Sequence, residues 1–347
     1  MIVVKTRVSF ANPGHPVSCL TEANCQSLSA DEFCFWICGD SATIANMKTV
    51  RFLFLLIFSC VCVAAGAQSL PSAISADPPQ DKVHPAAMES FQIPSHGEPL
   101  NALMYIAAGA GPHPAVILLH GFPGNEKNLD LAQAIRRAGW DVLYFNYRGS
   151  WGTPGDFSFT HCMEDMASAL AYLRDPANAA RLRVDTKHIV LIGHSMGGFM
   201  TEYGAAHDDG VMAVGLISAA NFGAMASSVV ASAGESAAPA QMGEHLAKEG
   251  MAPLHGCTPQ GLGQEAVTHR VEWGNEALAK MLVKRPVLVI SSDDGLAGQA
   301  KAFADDLIKD GNTQVTEVHM ATDHVYSDQR ISLETAVLTW LAGLPVH

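Results

Sequence analysis

Ile189-Val190-Leu191-Ile192 runs directly into Gly193-His194-Ser195-Met196-Gly197-Gly198. Four branched apolar residues in a row read as a strand buried on both faces, and the glycines after them mark an abrupt change of direction. The pattern is G-x-S-x-G between a strand and a helix. In that setting the serine sits on a tight strand-to-helix turn with its hydroxyl exposed, and Gly193 and Gly197 remove side chains that would collide there. The helix starting at Met196 turns its N-terminus toward developing negative charge. Ser195 is the expected nucleophile and Gly193, His194 and Gly197 its elbow.

Outward from this segment, strands and helices alternate. Strand-like runs are Ser90–Ile93, Asn101–Ala107, Ala115–His120, Asp141–Tyr147, His188–Gly193, Val211–Ser218, Pro286–Ser291 and Gln314–Met320. Several are continuous apolar runs, which predicts a mostly parallel sheet covered by helices on both faces. Helical spacing links Leu131 with Ile135, Met163 with Met166, Leu170 and Leu173, and Phe303 with Leu307 and Ile308. Ile331, Val337, Trp340 and Leu341 mark the last helix. Gly139 and Gly311 close two of these helices, and Asp175-Pro176 ends a third. The long interval between Ser218 and Pro286 exceeds what one crossover helix needs. Residues 223–285 are therefore expected to form a mostly helical cap over the sheet's carboxyl edge.

A serine nucleophile needs a base, and the base needs an orienting carboxylate. Where this elbow occurs, the acid follows the serine and the histidine follows the acid. Ser291-Ser292-Asp293-Asp294-Gly295 follows the strand Val287–Ile290, and Ala321-Thr322-Asp323-His324 follows the strand ending at Met320. His324, on a loop at a strand's carboxyl end, is preferred as base to His319, which falls within the strand. Asp294 is preferred as the acid, with Asp293 the alternative and Asp323 a third candidate.

Acyl chemistry also needs two donors for an oxyanion. The Met196 N–H is one. His120-Gly121-Phe122-Pro123-Gly124 follows the third strand, and Phe122 is placed to offer the other, because Pro123 has no N–H.

These motifs, with Asn146-Tyr147-Arg148-Gly149-Ser150-Trp151-Gly152, resemble those of the α/β hydrolase superfamily over about residues 88–345. The Asn146–Gly152 stretch is similar to the loop after strand four in prolyl oligopeptidase-like and dienelactone hydrolase-like members. The resemblance implies an eight-stranded, mostly parallel α/β sheet. It also implies a serine hydrolase acting on ester, thioester or amide bonds without a cofactor or metal. An ester-cleaving enzyme leads. A small peptidase or thioesterase is the alternative, and a non-catalytic binding protein on the same scaffold is the rival of a different class. The β-propeller that gates large oligopeptidases is not expected ahead of the catalytic segment. The fold alone does not name a substrate; a small ester or short peptide is expected.

The chain has 347 residues, 48% of them hydrophobic and 16% charged, with net charge −13. That composition excludes disorder and supplies material for a large core. An acidic balance without a basic cluster argues against a nucleic-acid partner. The cysteines are unevenly spread: Cys19, Cys25, Cys34, Cys38, Cys60 and Cys62 precede residue 63, and only Cys162 and Cys257 follow. The irregular early spacing does not make a metal site. Met47-Lys48-Thr49-Val50-Arg51, the apolar run from Phe52 through Val63, and Ala65-Gly66-Ala67 form a charged start, a short apolar centre and an A-x-A end. This is the pattern of a secretory signal peptide, too short for a comfortable membrane span. The expected organisation is a non-native upstream extension (1–46), a signal peptide (47–67), a flexible leader (68–87) and a hydrolase domain (88–347). The protein is expected to be exported to the periplasm or medium, with no membrane association after cleavage. Residues 1–67 hold four lysines and arginines and four aspartates and glutamates, so the negative balance belongs to the remainder.

Overall fold

The computed structural model describes residues 70–346. The expected upstream extension and signal segment lie outside the described residues. Eight strands form one sheet in the order β1-β2-β4-β3-β5-β6-β7-β8. They are β1 (Ala87–Ser95), β2 (Glu98–Ile106), β3 (His113–Leu119), β4 (Asp141–Phe145), β5 (Val184–His194), β6 (Val211–Ile217), β7 (Val287–Ser292) and β8 (Val315–Met320). β1 and β2 form a hairpin closed by His96 and Gly97, both at positive φ, as a tight two-residue turn requires. β2 also runs antiparallel to β4, and every pairing from β4 to β8 is parallel.

The apolar strand runs face helices on both sides. Along β3, Ala115, Ile117 and Leu119 belong to one buried cluster, and Val116 and Leu118 to another. The second cluster is completed by α2 (Leu129–Arg137) and α11 (Arg330–Ala342). The first is completed by α3 (Phe159–Arg174), α5 (Met196–His207) and α10 (Ala297–Lys309). Alternate residues of one strand therefore feed two cores, which makes the central strands apolar throughout. Ile308 and Ile331, expected on core faces, are instead about half exposed.

Three local features depart from the sequence expectation. Residues 72–75 form a short helix, α1 (Ser72–Ser75), whose Ala73 packs against Ala134 and Leu338. Asp175-Pro176 ends α3 at Arg174 as expected, but Pro176 also occupies the first turn of an unexpected second helix, α4 (Pro176–Leu182), where its missing N–H costs nothing. Asp175 joins the two helices, its carboxylate accepting from the Ala177 and Asn178 N–H groups at 3.0 Å. β5 begins at Val184 rather than His188, because its first turn of strand is polar and lies at the sheet's margin.

Between β6 and β7 the chain forms α6 (Phe222–Ala233), α7 (Ala238–Lys248), α8 (Pro259–Thr268) and α9 (Asn275–Met281). These helices attach to the loop at the carboxyl end of β4. Trp151 N–H donates to Pro253 O at 3.0 Å, His255 N–H to Gly149 O at 2.7 Å, and Phe157 N–H to His255 O at 2.9 Å. The Glu265 carboxylate of α8 accepts from the Phe159 and Thr160 N–H groups at 3.0 and 2.7 Å, and so caps α3. Cys162 is buried in the core and Cys257 half-buried in this insertion; both are free thiols. Among the described residues no helix is long and apolar enough to cross a membrane.

Candidate active site

Ser195 joins β5 to α5 with φ 57° and ψ −121°, a backbone conformation that L-residues with a β-carbon rarely adopt. Close packing holds it there. The Ser195 N–H donates to Ile217 O at 2.9 Å, and Ser195 O accepts from Ala220 N–H at 3.0 Å. A β-carbon at Gly193 would collide with Gly197 O, and one at Gly197 with Leu119 O. The glycines of the motif are thus required by backbone approaching backbone.

The loop after β3 lies against this turn: a β-carbon on Gly121 would come 2.9 Å from Ser195 Cβ. His120 Nδ1 donates to Gly121 O at 2.8 Å, and Trp151 Nε1 donates to Pro123 O at 2.8 Å, bracing the loop from two sides. Burial pushes the His120 imidazole down to about 4, so the ring is neutral and serves as a brace rather than a charge. Phe122 packs on Phe157 and Phe159. Among the described residues the Phe122 and Met196 N–H groups donate to no protein acceptor. The Asn146–Gly152 loop is fixed to α3 through Arg148, whose Nε and N–H reach the buried Asp165 carboxylate at 2.6 and 2.7 Å.

His324 Nδ1 donates to Asp294 Oδ2 at 2.7 Å. The Asp294 side chain is only 3% exposed, whereas the His324 side chain is 38% exposed. Burial opposes ionisation of Asp294. The His324 contact, the Leu296 N–H and the Ser218 and Ser292 hydroxyls outweigh it and hold the carboxyl well below the ordinary range. His324 is tied to the nucleophile's strand through His194, whose Nε2 donates to His324 O at 2.7 Å. Asp294, His324, Ser195, Phe122 and Met196 thus gather at the carboxyl ends of β3, β5, β7 and β8.

The alternative acid goes elsewhere. Asp293 is 64% exposed and accepts from His319 Nε2 at 3.1 Å. His319 Nδ1 contacts Ser291 Oγ at 3.0 Å, which completes a second Ser–His–Asp chain. Ser291 lies within β7, paired with His319 of β8, so it has neither a strained turn nor a helix N-terminus beside it. Asp323 turns back on its own loop and accepts from Val325 and Ser327 N–H at 3.2 and 2.9 Å. Sequence reasoning missed the hydroxyl group around Asp294: Ser218 contacts both Ser292 Oγ at 3.1 Å and Tyr326 Oη at 2.9 Å. These residues come from three elements, and no local pattern links them. A concavity of about 400 Å³ between Gly111, Arg174 and Arg183 opens at the amino end of β5, the opposite end from Ser195. No group of metal-ligating side chains occurs among the described residues.

Comparison with known proteins agrees with this fold. The family model described as the α/β hydrolase fold matches residues 114–240, which include both the loop after β3 and the elbow. The chain has the α/β hydrolase fold. A thermostable carboxyl esterase from Bacillus coagulans, solved with glycerol, superposes with a TM-score of 0.57 at 17% identity, over 74% of this chain and 99% of that one. Est1E from Butyrivibrio proteoclasticus, solved with ferulic acid bound, gives 0.55 at 18% identity, over 74% and 100% of the two chains. An acylaminoacyl peptidase from Pyrococcus horikoshii gives 0.55 at 18% identity, over 77% of this chain but 43% of the peptidase. Comparison with curated protein sequences finds no match. At such identities the neighbours share the fold and leave the substrate open.

Proposed function

We propose that this protein, with its α/β hydrolase fold, is a serine hydrolase that cleaves a small carboxylic ester through an acyl-enzyme. The observation that carries the reading is the Asp294–His324 hydrogen bond of 2.7 Å beside the strained Ser195 turn. His324 Nε2 takes the proton from Ser195 Oγ as Oγ bonds to the substrate carbonyl carbon, and the carbonyl electron pair moves onto oxygen. The Phe122 and Met196 N–H groups stabilise that oxyanion. Collapse expels the alkoxide, which takes the proton from His324. Water, deprotonated by His324, then attacks the acyl carbon, and collapse releases the acid as Ser195 Oγ takes the proton back from His324. Asp294 keeps the His324 proton on Nδ1 and stabilises the imidazolium. No step calls for a metal or cofactor.

Fluorophosphonate labelling tests the reading. The wild type should be labelled and hydrolyse p-nitrophenyl esters, and Ser195→Ala should lose both, with kcat falling roughly 10⁶-fold. An unlabelled wild type favours the binding-protein alternative. A peptidase or thioesterase is the second reading within enzymes, supported by the acylaminoacyl peptidase among the neighbours. Faster turnover of dipeptidyl anilides than of aryl esters would favour the peptidase. The proposal includes export, resting on the residue pattern of 47–67; N-terminal sequencing of the secreted form should then read from Gln68.

A further inference from the structure

We infer that His194, the residue between Gly193 and the nucleophile, is a positioning residue for the base His324. The inference rests on the proposed role of His324. His194 is the last residue of β5 and is 2% exposed. Its Nε2 lies 2.7 Å from His324 O, and the two rings stand 4.7 Å apart at 44°. A carbonyl only accepts, so the proton is on Nε2 and Nδ1 is the bare nitrogen. That Nδ1 is buried without a partner. Burial, reinforced by the nearby His324 ring, pushes the His194 imidazole down to about 3, so it remains a neutral donor with a fixed tautomer.

The rest of the base's loop is anchored to itself, to α11 and to Ser218 just after β6. Asp323 accepts from Val325 and Ser327, Arg330 Nη1 donates to Val325 O at 3.0 Å, and Tyr326 Oη contacts Ser218. Among the described residues, the His324 carbonyl has His194 as its hydrogen-bond partner. This bond connects the backbone of the base to the strand carrying the nucleophile, one residue from Ser195. It fixes the peptide plane that sets where the His324 ring stands relative to Ser195 Oγ. Asp294 fixes the ring from its other side. A base held at two points keeps its place while it gains and loses a proton twice in each turnover.

The test is kinetic. His194→Phe fills the space and removes the donor, whereas His194→Gln retains an N–H near the Nε2 position. His194→Phe should lower kcat on p-nitrophenyl acetate about 10²-fold with KM changed less than twofold, and slow fluorophosphonate labelling in parallel. His194→Gln should recover most of both rates. Wild-type kcat in a folded His194→Phe, or equal loss in Phe and Gln variants of wild-type melting temperature, overturns the inference. If the Phe variant does not fold, Gln is compared with Asn, whose amide is one bond too short. Gln should be the more active, and equal activities overturn the inference. A wild type that neither labels nor hydrolyses esters sinks the proposed function itself, a distinct outcome.

Discussion

The Asp294 carboxylate is sealed from water at 3% exposure while the His324 ring it holds, 2.7 Å away, is 38% exposed. A buried anion paired with an accessible imidazole suits a base that meets substrate on one edge and its orienting group on the other. Asp293, its sequence neighbour, is 64% exposed and bonded to His319 instead. Asp294→Asn should therefore reduce kcat on aryl esters by about 10⁴-fold, as loss of the orienting acid does in serine proteases. Asp293→Asn should change it less than twofold. Asp294 is held well below the ordinary carboxyl range. No titration of this group then enters a pH–rate profile above about pH 4, where free aspartates are half ionised.

The second chain of serine, histidine and aspartate makes a separate prediction. Ser291, His319 and Asp293 are linked at 3.0 and 3.1 Å, distances as good as those of many catalytic groups. What the chain lacks is a pair of donors for an oxyanion, since Ser291 sits within a paired strand. Ser291→Ala should leave both ester hydrolysis and fluorophosphonate labelling at wild-type level. Labelling that survives Ser195→Ala and disappears in the Ser195→Ala, Ser291→Ala double variant would show this chain to be reactive.

Comparing the two chains shows what the residues told in advance. The central strands and the turn at Ser195 were legible, because burial on both faces leaves unbroken apolar runs and backbone crowding leaves glycines at 193 and 197. The choice of His324 over His319 followed from position: one lies on a loop at a strand's end, the other inside a strand. The choice between Asp293 and Asp294 was weaker. Adjacent residues leaving a strand point to opposite sides, and only the fold decides which side holds the histidine. The tie from His194 to His324 spans 130 positions and leaves no local trace. The helix at Pro176 was missed because Asp-Pro both ends one helix and begins another.

The helical segment between β6 and β7 gives a prediction about its attachment. Glu265 of α8 meets two N–H groups at the start of α3, and its Oε1 also accepts the Thr160 hydroxyl at 2.7 Å. A carboxylate at a helix N-terminus gains from the exposed donors and from the helix dipole. Glu265→Gln keeps the shape and removes the charge, and should cost about 1 kcal/mol of stability in urea unfolding. Glu265→Ala, which leaves those donors without this acceptor, should cost about 2 kcal/mol. Equal stability of wild type and Glu265→Ala would show that the cap contributes nothing to holding α8 on α3.

Asp141, fully buried at the start of β4, makes stability depend on pH. Its Oδ1 accepts from Ala107 N–H at 2.7 Å and its Oδ2 has no partner. Burial pushes the carboxyl up to about 8, against the Ala107 hydrogen bond and the Arg183 charge. An acid raised in the folded state binds a proton that the unfolded chain releases above about pH 4. The folded state is therefore favoured fully below that pH, and the advantage drains away as pH rises toward about 8. Asp141→Asn preserves the acceptor and cannot ionise. Relative to this variant, wild-type stability should fall by about 1.4 kcal/mol per pH unit across that window, the slope of one proton. The difference should level off above it. Urea unfolding of both proteins at pH 5, 6, 7 and 8 measures the slope directly. A constant difference across the series would mean that Asp141 is ionised in the folded protein, with its charge met by a partner or water at Oδ2.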